Sequence, residues 1–162
     1  MEDAIRIKPH HFLDIIRAFG GGQRTFEPHP YGHAVHTVAE RILSDRAVML
    51  ELVLGIDDIC MPCTNNQGGV CVDTIDVSYR PEAPSSKEAW NRLIDRRLFE
   101  RLGLKEGARC TASAFCRRVR ERLGDLHAIW REMPRSMTSE RERDLMRGIS
   151  MYLGEGHGPD IE

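Results

Sequence analysis

Apolar residues along this chain recur mostly at helical spacing. Phe12, Ile15, Ile16 and Phe19 predict an amphipathic helix over 10–19, which Gly20-Gly21-Gly22 ends. Val35, Val38, Ala39 and Ile42 predict a second helix over about 33–44, after a loop through Pro28, His29, Pro30 and Gly32. Ile5-Arg6-Ile7 alternates and reads as a short strand closed by Pro9. The dense apolar run 48–54, broken only by Glu51, fits a buried strand. Pro81, Pro84, Ser85 and Ser86 form a linker. Ser85 with Glu88 then gives a capping box for a helix carrying Trp90, Leu93, Ile94, Leu98 and Leu102 and stopping at Gly103. A further helix starts near Thr111 or Ser113, turns Phe115, Cys116, Val119 and Leu123 inward, and ends at Gly124. Ser139 with Glu142 marks the start of the last helix, which packs through Leu145, Ile149 and Tyr152.

The pattern predicts a mainly α (α+β) fold: a small helical domain with one or two short strands and no internal repeat. Its length of 162 residues suits one domain over 1–154. That domain has a loop at 57–71, a helical C-terminal half at 85–154, and a polar tail at 155–162 expected to be mobile.

Composition narrows the function classes. With 41% hydrophobic and 30% charged residues the chain reads as soluble and globular. A net charge of −2 gives no reason to expect nucleic acid, and the basic run Arg117-Arg118-Val119-Arg120-Glu121-Arg122 reads as a solvated helix face. No segment approaches the roughly 18 apolar residues of a membrane span, and the first residues lack the pattern of a signal peptide. A reducing, cytoplasmic location is the expectation, and the odd count of five cysteines agrees with it.

Three of those five cysteines fall within twelve positions, in Cys60-Met61-Pro62-Cys63 followed by Gly68-Gly69-Val70-Cys71. Two thiols separated by two residues can grip one metal centre from a single turn, and Pro62 with the glycine pair supplies bends that return Cys71 to the same point. The spacing of two and then seven is irregular for the commonest zinc modules, which pair two short Cys-x-x-Cys units. Asp57 and Asp58 precede the loop. As neighbours they point oppositely, so they are expected to turn the chain and accept backbone amides rather than to perform acid–base catalysis. No phosphate loop, nucleophile elbow or metalloprotease helix is present.

The order Pro9-His10-His11-Phe12-Leu13, a glycine-rich turn, an amphipathic helix, an apolar strand and Asp58-Ile59-Cys60-Met61-Pro62-Cys63 resembles one family. This is domain of unknown function family 1284, small bacterial and archaeal proteins for which an iron–sulfur centre is expected. The resemblance is good from Ile5 to Cys71 and ends near Arg131. It implies an iron–sulfur cluster, 4Fe–4S before other types, with zinc as the alternative. It also implies a cysteine where this chain has Asp14, and a second cysteine group where this chain has Trp130-Arg131-Glu132-Met133-Pro134. Both departures leave the fourth ligand open.

A cubane cluster or a tetrahedral zinc takes four ligands and the loop supplies Cys60, Cys63 and Cys71. Candidates for the fourth are Cys110, just before a helix; Asp14, one helical turn beyond the paired histidines; and His10 or His11. Cys116 lies on an apolar stripe and reads as core. His33 and His36, three apart, form a weaker candidate pair beside His29. The functional expectation is electron transfer or an accessory redox role with an unidentified redox protein or small molecule as partner. The alternatives are a zinc-stabilised interaction domain, or an enzyme whose three-cysteine cluster keeps an open iron.

Overall fold

The computed structural model describes residues 3–154. The tail expected to be mobile therefore lies outside the described residues. A three-stranded sheet forms the hub. Its central strand β2 (Met49–Leu52) pairs in parallel with β1 (Ile5–Ile7) and antiparallel with β5 (Arg109–Thr111). Alternation decides which face is covered. Ile5, Ile7, Leu50 and Leu52 have no exposed surface, while Arg6, Met49 and Arg109 point to solvent.

Among the described residues, five α-helices complete the domain. They are α1 (Pro9–Gly20), α2 (Val35–Ser44), α3 (Lys87–Leu102), α4 (Ala112–Arg122) and α5 (Arg135–Tyr152). The fold is a small α+β domain in which helix predominates. No helix among the described residues is long and apolar enough to cross a membrane.

The core joins the covered face of the sheet to Phe12 and Ile16 of α1, Ile94 and Leu98 of α3, Phe115 of α4, and Leu145 and Ile149 of α5. The Phe12 ring meets Phe115 edge-on at 5.0 Å. Helices α1 and α5 form the largest helix contact, through paired glycines. A Cβ on Gly20 would collide with the backbone of Asp144 and Gly148, and one on Gly148 would collide with the Ile16 carbonyl. The Tyr152 hydroxyl donates to the Ile42 carbonyl at 2.7 Å and fixes the end of α5 to α2.

Several element starts differ from the sequence expectation. Ser86, not Ser85, caps α3, its hydroxyl accepting the Ala89 N–H at 3.1 Å. Glu88 consequently faces away from the cap. Helix α5 begins at Arg135, directly after Pro134, so Ser139 and Glu142 lie within it. Pro134 pre-sets the entry, and its carbonyl accepts the first helical N–H groups, from Met137 and Thr138. Helix α2 starts at Val35, which leaves His33 in the preceding loop. Where one or two strands were expected there are five among the described residues. The extra ones are β5 and a hairpin inside the cysteine loop, β3 (Asn66–Gln67) with β4 (Val70–Cys71). None of these three segments shows the apolar alternation that made Ile5–Ile7 readable. Gly68 and Gly69, with φ of 65° and 86°, make the turn of that hairpin, a conformation other residues resist.

Candidate metal centre

Two chain segments leave the hub side by side and build the site. β1 runs through Lys8 into the first turn of α1, which carries His10 and His11. β2 runs on into the cysteine loop. Asp57 ties them together. Its Oδ2 accepts the Lys8 N–H at 2.8 Å and a hydrogen bond from His11 Nδ1 at 2.8 Å, while Oδ1 accepts the Cys60 N–H at 3.0 Å. Asp58 accepts the Arg6 N–H at 2.9 Å and straps the loop to β1 from the other side. The adjacent carboxylates do turn the chain and bind amides. Asp57 is wholly buried. Burial alone would raise its pKa, but His11, Lys8 and the donated hydrogen bonds outweigh it and hold the carboxyl well below the usual range.

The cysteine turn is closed by the Cys63 N–H donating to the Cys60 carbonyl at 2.9 Å, and the Asn65 N–H points at Cys63 Sγ at 3.4 Å. The hairpin then folds back, and the Cys71 N–H donates to Glu88 Oε1 at 3.0 Å, the contact that draws Glu88 from the helix cap. As a result Cys60, Cys63 and Cys71 line one cavity of about 260 Å³, together with His11, His29, His33, Asp14, Lys87 and Asn91. The tightest donor group is His11, Asp57 and Cys60, with ligand atoms within 4.8 Å of one another.

Lys8 is the unforeseen member. It is 1% exposed, and its Nζ donates to Cys60 Sγ at 3.3 Å. Burial works against its charge, yet Cys60, Asp57 and Asp95 together raise its pKa, so the ammonium persists at neutral pH. The Cys60 thiol pKa is raised as well, which keeps the thiol neutral where the raised Lys8 value keeps the amine charged. Burial first and Asp57 second push it up to about 11, against the opposing pull of Lys8. A nucleophilic cysteine needs the opposite shift. Cys60 beside His11 and Asp57 therefore lacks the lowered pKa of an activated thiol nucleophile.

The paired histidines part company. His11 Nδ1 is committed to Asp57, which leaves Nε2 without a hydrogen bond and His11 on the cavity wall. A carboxylate holding one imidazole nitrogen so that the other can ligate is a recurrent metal-site arrangement. His10 turns to α3, its Nδ1 on both oxygens of buried Asp95 at 2.9 and 3.0 Å and its N–H on the same carboxylate at 2.8 Å. Although burial opposes it, Asp95 raises the His10 pKa. His10 lines an adjoining cleft and not the cysteine cavity.

The other candidates are scattered. Asp14 lies at the cavity edge but is engaged with Arg141 at 3.0 Å. Cys110 sits on β5 opposite Leu50, away from the cavity lining, with its thiol pKa raised by burial. Cys116 is in the core with no exposed surface. His33 stacks on His29 at 4.2 Å rather than pairing with His36. Burial, then His29 and His11, lower the His33 pKa and keep it neutral, the form in which imidazole binds metals. Of the residues missed, Asp95 carried a signal: it lies on the Asn91–Ile94–Leu98 face of α3, where a carboxylate interrupts an apolar stripe. Lys8 carried none.

The donor set fits a thiophilic metal centre. Three thiols and one carboxylate-held imidazole are the ligands that iron–sulfur clusters and zinc select, and the cavity has room for more than a single ion.

No curated protein and no solved structure shows a match to this chain. A family model described as protein of unknown function (DUF1284) matches residues 29–132. The match spans the cysteine loop and stops close to Arg131, but it begins beyond α1 and so leaves the paired histidines outside it. The chain belongs to this family, DUF1284.

Proposed function

We propose that this protein holds an iron–sulfur cluster through Cys60, Cys63 and Cys71, with His11 Nε2 as the fourth ligand in place of Cys110 or Asp14. The observation that carries the reading is the shared cavity. Three thiols spread over twelve positions converge on it, opposite an imidazole that Asp57 holds by its far nitrogen. The Lys8 ammonium at Cys60 Sγ would offset thiolate charge and favour the reduced state of a bound cluster. Such a centre would supply one-electron chemistry. Its partner would be a redox protein or a small molecule, in the reducing interior of the cell.

Zinc is the second reading. The close group of His11, Asp57 and Cys60 favours it, because one ion needs donors this near one another. Iron, acid-labile sulfide and zinc content, measured with a visible spectrum on protein purified without oxygen, separates the two. Iron with sulfide and broad visible absorption supports the cluster; stoichiometric zinc without colour refutes it. Cys60→Ser, which removes the one thiol common to both donor sets, should remove the metal in either case. A variant with unchanged metal content would overturn the site itself.

A further inference from the structure

A second cleft, of about 470 Å³, opens beside the cysteine cavity and shares His11, Asp14, Lys87 and Asn91 with it. Its character is cationic and aromatic. Arg80 lies over the Trp90 ring at 5.2 Å and Arg141 over the Trp130 ring at 4.9 Å. Arg141 has Asp14 as its carboxylate partner. Arg80 has none within salt-bridge distance among the described residues. Its Nε donates to the Asp76 carbonyl at 2.7 Å, while the Asp76 carboxylate accepts the Ser78 N–H instead.

Arg17 and Arg80 both stand near enough to Arg141 to oppose its charge. Arg17 Nε is buried without a hydrogen-bond partner. Two carboxylates face a group of three guanidiniums: Asp14, paired with Arg141, and Asp76, turned to Ser78 but within electrostatic reach of Arg80. Crowding like charges in a partly buried site is unfavourable unless an anion joins them.

Asn91 adds a neutral polar group to the wall common to both cavities. The residue is 8% exposed, and its amide is not among the buried unpaired groups, so it opens to the cavity and can hydrogen-bond a ligand there.

We propose that this cleft binds a small organic carboxylate, gripped by Arg80 and Arg141 and hydrogen-bonded by Asn91, with its far end directed at the cysteine cavity. Arg80 is held by the Asp76 carbonyl through Nε and by Met133 Sδ through Nη1, and Arg141 by Asp14 through Nη1, so both guanidiniums present their remaining N–H groups to a carboxylate with little further loss of freedom. That the bound acid is the substrate of the metal centre rests on the proposed cluster. The binding itself does not.

The chain has two tryptophans, Trp90 and Trp130, and both line this cleft, so intrinsic fluorescence reports its occupancy directly. Succinate is titrated into the protein as purified and into Cys63→Ser, with inorganic phosphate as the comparison anion. A saturable change with succinate is expected in both proteins, weakened at least tenfold in Arg80→Gln and less in Arg80→Lys, with circular dichroism confirming that each variant is folded. No saturable response, an equal response in folded Arg80→Gln, or tighter binding of phosphate than of succinate would overturn the proposal. Saturation in protein that carries no iron upholds the carboxylate site and removes the cluster. Iron without saturation does the reverse.

Discussion

Replacing Asp57 tests the construction of the site where its connections are densest. Asp57→Ala removes the acceptor for three donors: the Lys8 N–H at 2.8 Å, the Cys60 N–H at 3.0 Å and His11 Nδ1 at 2.8 Å. The carboxylate has no exposed surface, so water cannot replace it without rearrangement. Two orphaned amides cost about 1–3 kcal/mol each, and the buried Lys8 charge loses a neighbour. The variant should lose about 3–5 kcal/mol, a large share of the roughly 5–15 kcal/mol typical of a domain. Asp57→Asn keeps the volume and one acceptor oxygen but turns an NH₂ group towards a donor, so it should lose less, about 2–4 kcal/mol.

Urea unfolding of chelator-treated protein at pH 7, followed by far-UV circular dichroism, measures both. The pH dependence has a definite sign. Because the folded-state pKa of Asp57 is depressed, its contribution is present in full above the unfolded value of about 4. It is lost as pH falls from there through the lower folded value, so the gap between wild type and Asp57→Ala should narrow in acid. A gap below about 1 kcal/mol at pH 7 would refute the reasoning, as would a gap that widens in acid.

Three further outcomes follow from the same geometry. Lys8→Met keeps the buried stem but removes the donor to Cys60 Sγ, so the thiol should rise further above about 11. Slower alkylation of Cys60 in metal-free protein, read by peptide mass spectrometry, checks this. Gly148→Ala forces a methyl group against the Ile16 carbonyl and should cost about 2 kcal/mol or more, seen as a lower thermal midpoint. Cys116→Ala should retain all metal and cost about 1 kcal/mol from a small core void; metal loss would make that thiol a ligand after all.

The helices and the central strand were legible because each displays several apolar residues at one period. The course of the cysteine loop was legible because it is local: a turn and a hairpin suffice to bring Cys60, Cys63 and Cys71 to one cavity. What was hidden depends on contacts between distant segments. Separating His10 from His11 required knowing that Asp95 and Asp57 arrive from different elements, 85 and 46 positions away. Cys110 passed for a helix-start residue because Arg109-Cys110-Thr111 carries no pair of large apolar residues to show a strand period, unlike Ile5 and Ile7; its pairing with Leu50 carries it away from the cavity. Ser85 and Ser139 matched a capping pattern that the chain does not use. At the first, Ser86 fits the cap and Glu88 is drawn to Cys71. At the second, Pro134 starts the helix earlier.

The glycine seam between α1 and α5 has a temporal consequence. It joins residues 127 positions apart, as in the pair of Asp14 with Arg141, and closing so long a stretch of chain is slow compared with making a local turn. During synthesis the cysteine loop is complete long before α5 exists to hold α1 in place. The contacts that tie Lys8 and His11 to Asp57 and Cys60 all lie within the first sixty residues, so the walls of the site can be strapped together before the helix that clamps α1 has been made.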